Sequence, residues 1–267
     1  MSIADQIDAA VGKANGVFGR EMSRFGLTLA KVTNITDSEK LNRVKCLPIG
    51  GKDGEETDWC YVMSPMGGKE CGLFLFPQVD DLVVLGYIDE DPHRPVVLGS
   101  YWTTETRPPY TVQDGKAQDY GFKTPKKIDL AVHDEDKKQK VTLTLPSGPV
   151  LTLDNEDKKQ KVTLSLPSGA VLSIDDGAKS VSLKDKSGNN ALTMDLQGGN
   201  VSLKAKSKLT LSAGSTTITL ESGGNITGKG NGTVSITGTN VEAKANTSIK
   251  LEGSAMAVLK GGIVKIN

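Results

Sequence analysis

At 267 residues, of which 37% are hydrophobic and 4% aromatic, the chain is too poor in large apolar side chains for two conventional monomeric cores. Acidic and basic residues balance at 32 each, which excludes a polyanion binder working through bulk charge and leaves local asymmetry to interpret. No stretch approaches the roughly 18 apolar residues of a membrane span, and Asp5 and Asp8 stand where a secretory signal needs a basic and then an apolar segment. Synthesis in the cytoplasm is expected.

Ile3, Ile7, Ala10, Val11, Ala14, Val17 and Phe18 recur at helical spacing, and Ser2 with Asp5 forms a capping box. Residues 1–25 therefore read as an N-terminal amphipathic helix and its exit. A terminal helix of this kind packs on its own domain or docks on a partner, and the sequence favours neither.

From Gly26 to Trp102 the pattern changes to short alternating or apolar runs: Leu27–Val32, Arg43–Ile49, Trp59–Met63, Gly72–Phe76, Leu82–Ile88 and Val96–Leu98. Gly50-Gly51, Gly67-Gly68 and Asp91-Pro92 punctuate them, so residues 26–102 are expected to form a small β-barrel. Cys46, Cys60 and Cys71 are odd in number, lack a CxxC spacing and lie in strand-like surroundings, which points to buried free thiols. Arg107-Pro108-Pro109 opens a linker or neck over residues 103–129.

Beyond the neck the chain repeats. DEDKKQKVTLTLPSGPVLTLD at 134–154 returns as NEDKKQKVTLSLPSGAVLSID at 155–175, two alternating strands about a Pro-Ser-Gly turn with a period of 21. From Val201 the period shortens to eight, and eight octads run without insertion to Val264. Each offers an aliphatic pair two residues apart, such as Val201 and Leu203 or Ile218 and Leu220, followed by a polar or glycine corner.

Two apolar side chains per octad enclose too little volume for one chain coiling on itself, and eight residues do not circle a single-chain solenoid turn of about 20. Three copies wound together, each supplying one wall of a triangular tube, put every apolar pair on a shared axis and carry backbone hydrogen bonds between chains. Ordering costs roughly 1–2 kcal/mol per residue and most for Gly-rich chain, so the isolated C-terminal half is not expected to fold alone.

The run Leu75-Phe-Pro-Gln-Val-Asp-Asp-Leu-Val-Val-Leu-Gly86, with Asp89-Glu-Asp-Pro-His-Arg-Pro-Val-Val-Leu-Gly-Ser-Tyr-Trp102, resembles the OB-fold domain of phage baseplate spikes and the VgrG family. The octads resemble the β-helix of the same spikes. The resemblance implies an all-β chain: an OB-fold barrel at 26–102, then an intertwined homotrimeric β-helix needle at 130–267, with the short N-terminal α-helix before both. It implies a structural spike at the centre of a contractile injection system baseplate, which pierces the target envelope on sheath contraction and nucleates baseplate assembly.

Expected partners are two further copies of the chain, a separate hub protein above the barrels and a PAAR-like tip protein on the end formed by Gly261 to Asn267. Contact with the target envelope would be transient, and the spike would leave the cytoplasm as part of a virion or injection-particle baseplate. Asp80 stands where the family often has Gly, no lysozyme-like segment separates barrel from needle, and the large N-terminal hub portion of full VgrG proteins is lacking, leaving the helix as one candidate contact.

Chemistry of other kinds finds little footing. No GxSxG nucleophile motif is present, and Gly228-Lys-Gly230-Asn-Gly232 falls on an octad corner where a phosphate loop would have to open a helix. Asp134-Glu135-Asp136 and Asp175-Asp176-Gly177 lack calcium-loop spacing and read as solvated turns. With His93 and His133 the sole histidines, no tip metal site is expected; catalytic, cofactor-binding and metal residues are all none, and the chain reads as a non-enzyme.

Two alternatives remain, a polysaccharide-degrading β protein and a nucleic-acid binder. The first lacks sugar-stacking aromatics beyond residue 130, and the second has few basic residues interleaved with Trp59, Tyr61, Phe74 and Phe76, so no nucleic-acid partner is expected. Residues 201–267 hold eight Lys and three Glu, +5 per chain and +15 for three, a charge that favours approach to anionic envelope polymers but is explained first by solvation.

Overall fold

Short strands with small inward-facing apolar side chains close residues 28–100 into a barrel. The structure, a computed structural model, describes residues 26–50 and 54–265, in two units that divide after Thr111. The helix expected over residues 2–18 lies outside the described residues.

The barrel strands are β1 (Thr28–Asn34), β2 (Arg43–Pro48), β3 (Cys60–Val62), β6 (Leu82–Tyr87) and β7 (Pro95–Ser100), closed in the order β1-β2-β3-β7-β6. All neighbours are antiparallel except β3 and β7, where Tyr61 faces Val96. This closure removes every sheet edge and matches the five-stranded OB topology. Its core is Ala30, Val32, Val44, Cys46, Cys60, Val83, Leu85 and Val97, small side chains that fill a barrel of this diameter.

Two short strands, β4 (Gly67–Gly68) and β5 (Cys71–Gly72), form a separate hairpin between β3 and β6. The strand expected over Gly72–Phe76 is absent, and its apolar run ends instead in Phe76 packing against the core. Cys71 is exposed on this hairpin, unlike Cys46 and Cys60, which are buried; all three are free thiols. A hydrogen bond to Cys60 and then burial push the Cys46 thiol far up, so it stays protonated and unreactive.

Asp80 takes a left-handed backbone, φ 75°, in the turn entering β6, where its amide donates to the Val32 carbonyl at 2.9 Å. Asp80→Gly is expected to keep barrel stability within about 0.5 kcal/mol, whereas Asp80→Val costs about 1–2 kcal/mol because a β-branched side chain clashes in that conformation. Chemical denaturation of the two variants checks this.

In the second unit, nine five-residue strands follow one another as an antiparallel meander: β8 (Asp119–Lys123), β9 (Asp129–His133), β10 (Lys140–Thr144), β11 (Val150–Asp154), β12 (Lys161–Ser165), β13 (Val171–Asp175), β14 (Ser180–Lys184), β15 (Ala191–Asp195) and β16 (Asn200–Lys204). At about 4.8 Å per strand the sheet is about 38 Å long. It begins inside the segment 103–129 that the sequence suggests is a neck. β17 (Lys208–Ala213), β18 (Thr216–Glu221) and β19 (Ile226–Lys229) form a further three-stranded meander.

The 21-residue repeat is a repeat of turns as well as strands. The amides of Asp134, Asn155 and Asp176 donate to the carbonyls of Gln118, Gln139 and Gln160, and Lys137, Lys158 and Lys179 share a left-handed backbone at matching turn positions. Hydrogen bonds of the strands from Asp119 to Lys229 thus run within the chain, where the octads suggest bonds between chains. The reason is turn length: two- to six-residue connections reverse each paired strand onto its predecessor before another chain competes. Among the described residues no strand is assigned after Lys229, so the octads from residue 230 onward have no sheet within one chain.

Candidate association surface and barrel groove

Cross-strand register sorts the nine-stranded sheet into two unlike faces. One central row runs Gly121, Ala131, Thr142, Thr152, Thr163, Ser173, Ser182, Thr193 and Ser202, a line of small and hydroxyl side chains. Beside it on the same face, Lys140 meets Asp154 at 2.8 Å, Lys161 meets Asp175 at 3.5 Å and Lys123 meets Asp129 at 2.8 Å. Acid opposite base on neighbouring strands makes this face self-neutralising and suited to water.

The opposite face carries two rows of nine large side chains. One is Tyr120, Val132, Val141, Leu153, Val162, Ile174, Val181, Met194 and Val201; the other is Phe122, Leu130, Leu143, Leu151, Leu164, Leu172, Leu183, Leu192 and Leu203. None of these is buried among the described residues, whose core lies wholly in the barrel, and Leu183 and Ile174 remain about half exposed (50% and 49%). A contiguous apolar face of this size marks an association surface. Full burial of such a side chain stabilises by about 1.5–3 kcal/mol, so covering what remains of each contributes roughly 1 kcal/mol.

The octads extend the pattern. Val234, Ile236, Leu251 and Ile263 are all more than two-thirds exposed, in a stretch with no strand partner in its own chain.

The acidic groups singled out in the sequence sit in turns or, for Asp175, at the end of β13, and several have partners of their own. Asp175 Oδ1 accepts from the Ala178 amide at 2.8 Å, while Glu135 reaches Lys138 at 2.5 Å and His133 Nε2 at 3.4 Å. Gly228 lies in β19, next to no helix. His93 belongs to the barrel unit, where its Nδ1 is 2.8 Å from Asp58; His133 belongs to the sheet unit, where its Nδ1 is 2.7 Å from Asp119. Among the described residues no group of three or more His, Cys, Asp or Glu is placed to hold a metal, and no helix is long and apolar enough to cross a membrane.

Hydrogen bonding to Asp119, opposed by partial desolvation and assisted by Glu135, raises the His133 imidazole above its ordinary value of 6.5. A raised folded-state value means that this pairing stabilises fully below pH 6.5 and is lost as pH climbs through the folded value. The melting midpoint of the sheet unit is therefore expected to fall from pH 6 toward pH 8, with His133→Gln flattening that slope. A wild-type slope retained by His133→Gln would assign it to other groups.

Sequence reasoning missed one feature of the barrel, a groove of about 410 Å³ on its outer wall. Arg43 on β2 lies 5.7 Å from the Trp59 ring centre and 5.9 Å from that of Tyr61, and Lys45 lies 5.6 Å from Trp59. The signal was available in part, since Arg43 and Lys45 alternate on β2, while Tyr61 lies on β3 and Trp59 directly before it; the pairing register sets Arg43 opposite Tyr61.

Fold and surfaces define an OB-type barrel followed in sequence by a one-sided apolar β-meander. Residues 28–102, coextensive with the barrel, match the family described as the Type VI secretion system/phage-baseplate injector OB domain. In an alignment of 76 residues the chain is 34% identical to the Type VI secretion system spike protein VgrG5 of Pseudomonas aeruginosa, covering 28% of this chain and 10% of that protein. Spike proteins VgrG2a and VgrG2b of the same organism are each 31% identical over 67 residues, covering 25% of this chain and 8% and 7% of theirs. The matched segment thus spans about a tenth or less of those relatives. Over its barrel the chain is VgrG-like, of the baseplate-spike kind.

Proposed function

We propose that this protein is the central spike of a contractile injection system. Three copies join through the apolar faces of residues 119–204 and continue as a needle through the octads to the C-terminal end. The observation that carries the reading is the succession, in one chain, of a VgrG-like injector barrel and a sheet whose two rows of large apolar side chains have no cover of their own. Three such faces meeting on an axis bury those rows and leave the Lys–Asp face to water.

The role is mechanical. A separate hub protein holds the barrels, a PAAR-like protein caps the C-terminal end, and baseplate assembly nucleates on the trimer in the cytoplasm. Sheath contraction then drives the spike into the target envelope, which it contacts transiently. No step requires a catalytic residue, cofactor, metal or nucleic acid.

Mass in solution tests the reading. Light scattering on the purified chain is expected to give three times 28.2 kDa. A monomer of 28.2 kDa across the accessible concentration range would sink the proposal.

A further inference from the structure

We propose that the two lateral edges of the nine-stranded sheet are complementary docking surfaces between copies of this chain, the lysine edge of one copy seated against the carboxylate edge of the next. The inference rests on the three-chain reading above and adds which surfaces join and in which sense.

An antiparallel meander gathers alternate strand ends and connections on opposite sides. Lys123, Lys184 and Lys204 end strands on one edge, while Asp119, Asp175 and Asp195 stand on the other. Counted with its connections up to Ser207, the first edge holds seven Lys against two Asp, +5; the second holds ten Asp and Glu against seven Lys, −3. Five-residue strands hold the edges about 13 Å apart, beyond a screening length of about 8 Å, so the two charges do little to neutralise each other within a chain.

Charge also matches by level along the ladder. From Thr144 to Val171 the first edge carries no charge, and at that level residues 134–161 of the second balance six Asp and Glu with six Lys. Beyond it Lys184, Asp185, Lys186, Lys204 and Lys206 give the first edge +3, and Asp175, Asp176, Lys179 and Asp195 give the second −2. The distal cations are placed and unpaired. A Cβ on Gly169 would lie 2.6 Å from the Lys186 Cβ, so the Lys186 stem crosses the preceding turn of the same edge, and Lys204 Nζ donates to the Gly188 carbonyl at 3.2 Å. None of Lys184, Lys186, Lys204 and Lys206 has a carboxylate partner among the described residues.

A second copy of the chain fits both edges, whereas an anionic polymer meets only one. Copies related by rotation about an axis along the ladder set unlike edges together at every junction. A face-to-face pair turned about an axis along the strands sets like edges together instead. Edge charge thereby favours the first arrangement of the apolar faces and opposes the second.

Urea-induced dissociation of the full chain, followed by light scattering at one chain concentration, tests the edges with Lys186→Glu, Asp176→Lys and the two together. Both side chains are exposed and lie on opposite edges of their own sheet, so coupling between the substitutions reports contact between copies. Each single variant is expected to lower the midpoint by about 0.5 M, because the reversal recurs at three junctions, and the pair to return to within about 0.2 M of wild type. Lys184→Glu is expected to repeat the loss seen with Lys186→Glu, with circular dichroism unchanged before urea is added. A wild-type trimer indifferent to both lysine reversals, or additive losses in the pair, would overturn the edge assignment and leave the three-chain reading standing; a monomeric wild type would overturn both.

Discussion

Replacing Leu151 and Leu164 together by Asp is expected to turn a three-chain assembly into single chains. The two leucines face each other across β11 and β12 in the middle of one apolar row. In a lone chain they lie on an open face, so carboxylates there meet water and the sheet itself is little disturbed. In the proposed assembly three such pairs would enter a shared apolar interior, where each uncompensated charge costs several kcal/mol. That penalty exceeds the roughly 1 kcal/mol each leucine contributes by its remaining burial, and it recurs in every copy.

The control lies one residue away. Thr152 and Thr163 face each other on the same two strands but on the opposite, ion-paired face. Thr152→Asp with Thr163→Asp is expected to leave the mass at three times 28.2 kDa, while the leucine pair brings it to 28.2 kDa. Equal effects of the two double variants would show that the assembly does not form through the apolar face.

Leu85→Ala is the second large effect and falls on the barrel. Among the described residues Leu85 is the largest fully buried side chain, and its truncation leaves a cavity in a core of small residues with little capacity to collapse. A cost of about 2–5 kcal/mol is expected. Calorimetry should place this loss in a transition whose midpoint does not depend on protein concentration, because the barrel holds a core of its own. The transition of the β-meander is expected to depend on concentration and to be untouched by Leu85→Ala. Coupled loss of both transitions in that variant would mean that the two units share their stability.

Several features of the fold are visible in residue order alone. Alternation of Val and Leu with Thr and Ser in KVTLT and VLTLD, repeated at a spacing of 21, specifies both the strands and the turns between them, since side-chain alternation and turn chemistry are local properties. The same alternation assigns the large apolar residues to one face, because every strand of the meander contributes two of them at positions two apart. The barrel motif from Leu75 to Trp102 is also local and specific, which is why it points to the injector OB domain that the matched family covers.

Pairing partners are a different matter. Nothing in an octad tells whether its strand bonds to its own chain or to another, and through Lys229 the chain closes its own ladder because short turns make that encounter fastest. The run Gly72–Phe76 has strand-like composition, yet of it Gly72 alone is in a strand, pairing with Gly67 at the open end of the β4–β5 hairpin so closely that a Cβ would meet the Met66 carbonyl oxygen at 2.6 Å.

What the residues by themselves determined is therefore the class of the chain: an all-β, barrel-then-repeat protein with one apolar face per strand and a VgrG-like OB motif. Tertiary structure alone decided which side chains meet. Asp58 and His93, 35 residues apart, are joined by barrel closure, and Arg43 reaches Trp59 and Tyr61 through the register of β2 on β3. Periodicity is written in neighbouring residues and can be read there, whereas contact across strands depends on register and loop closure, which belong to the whole chain.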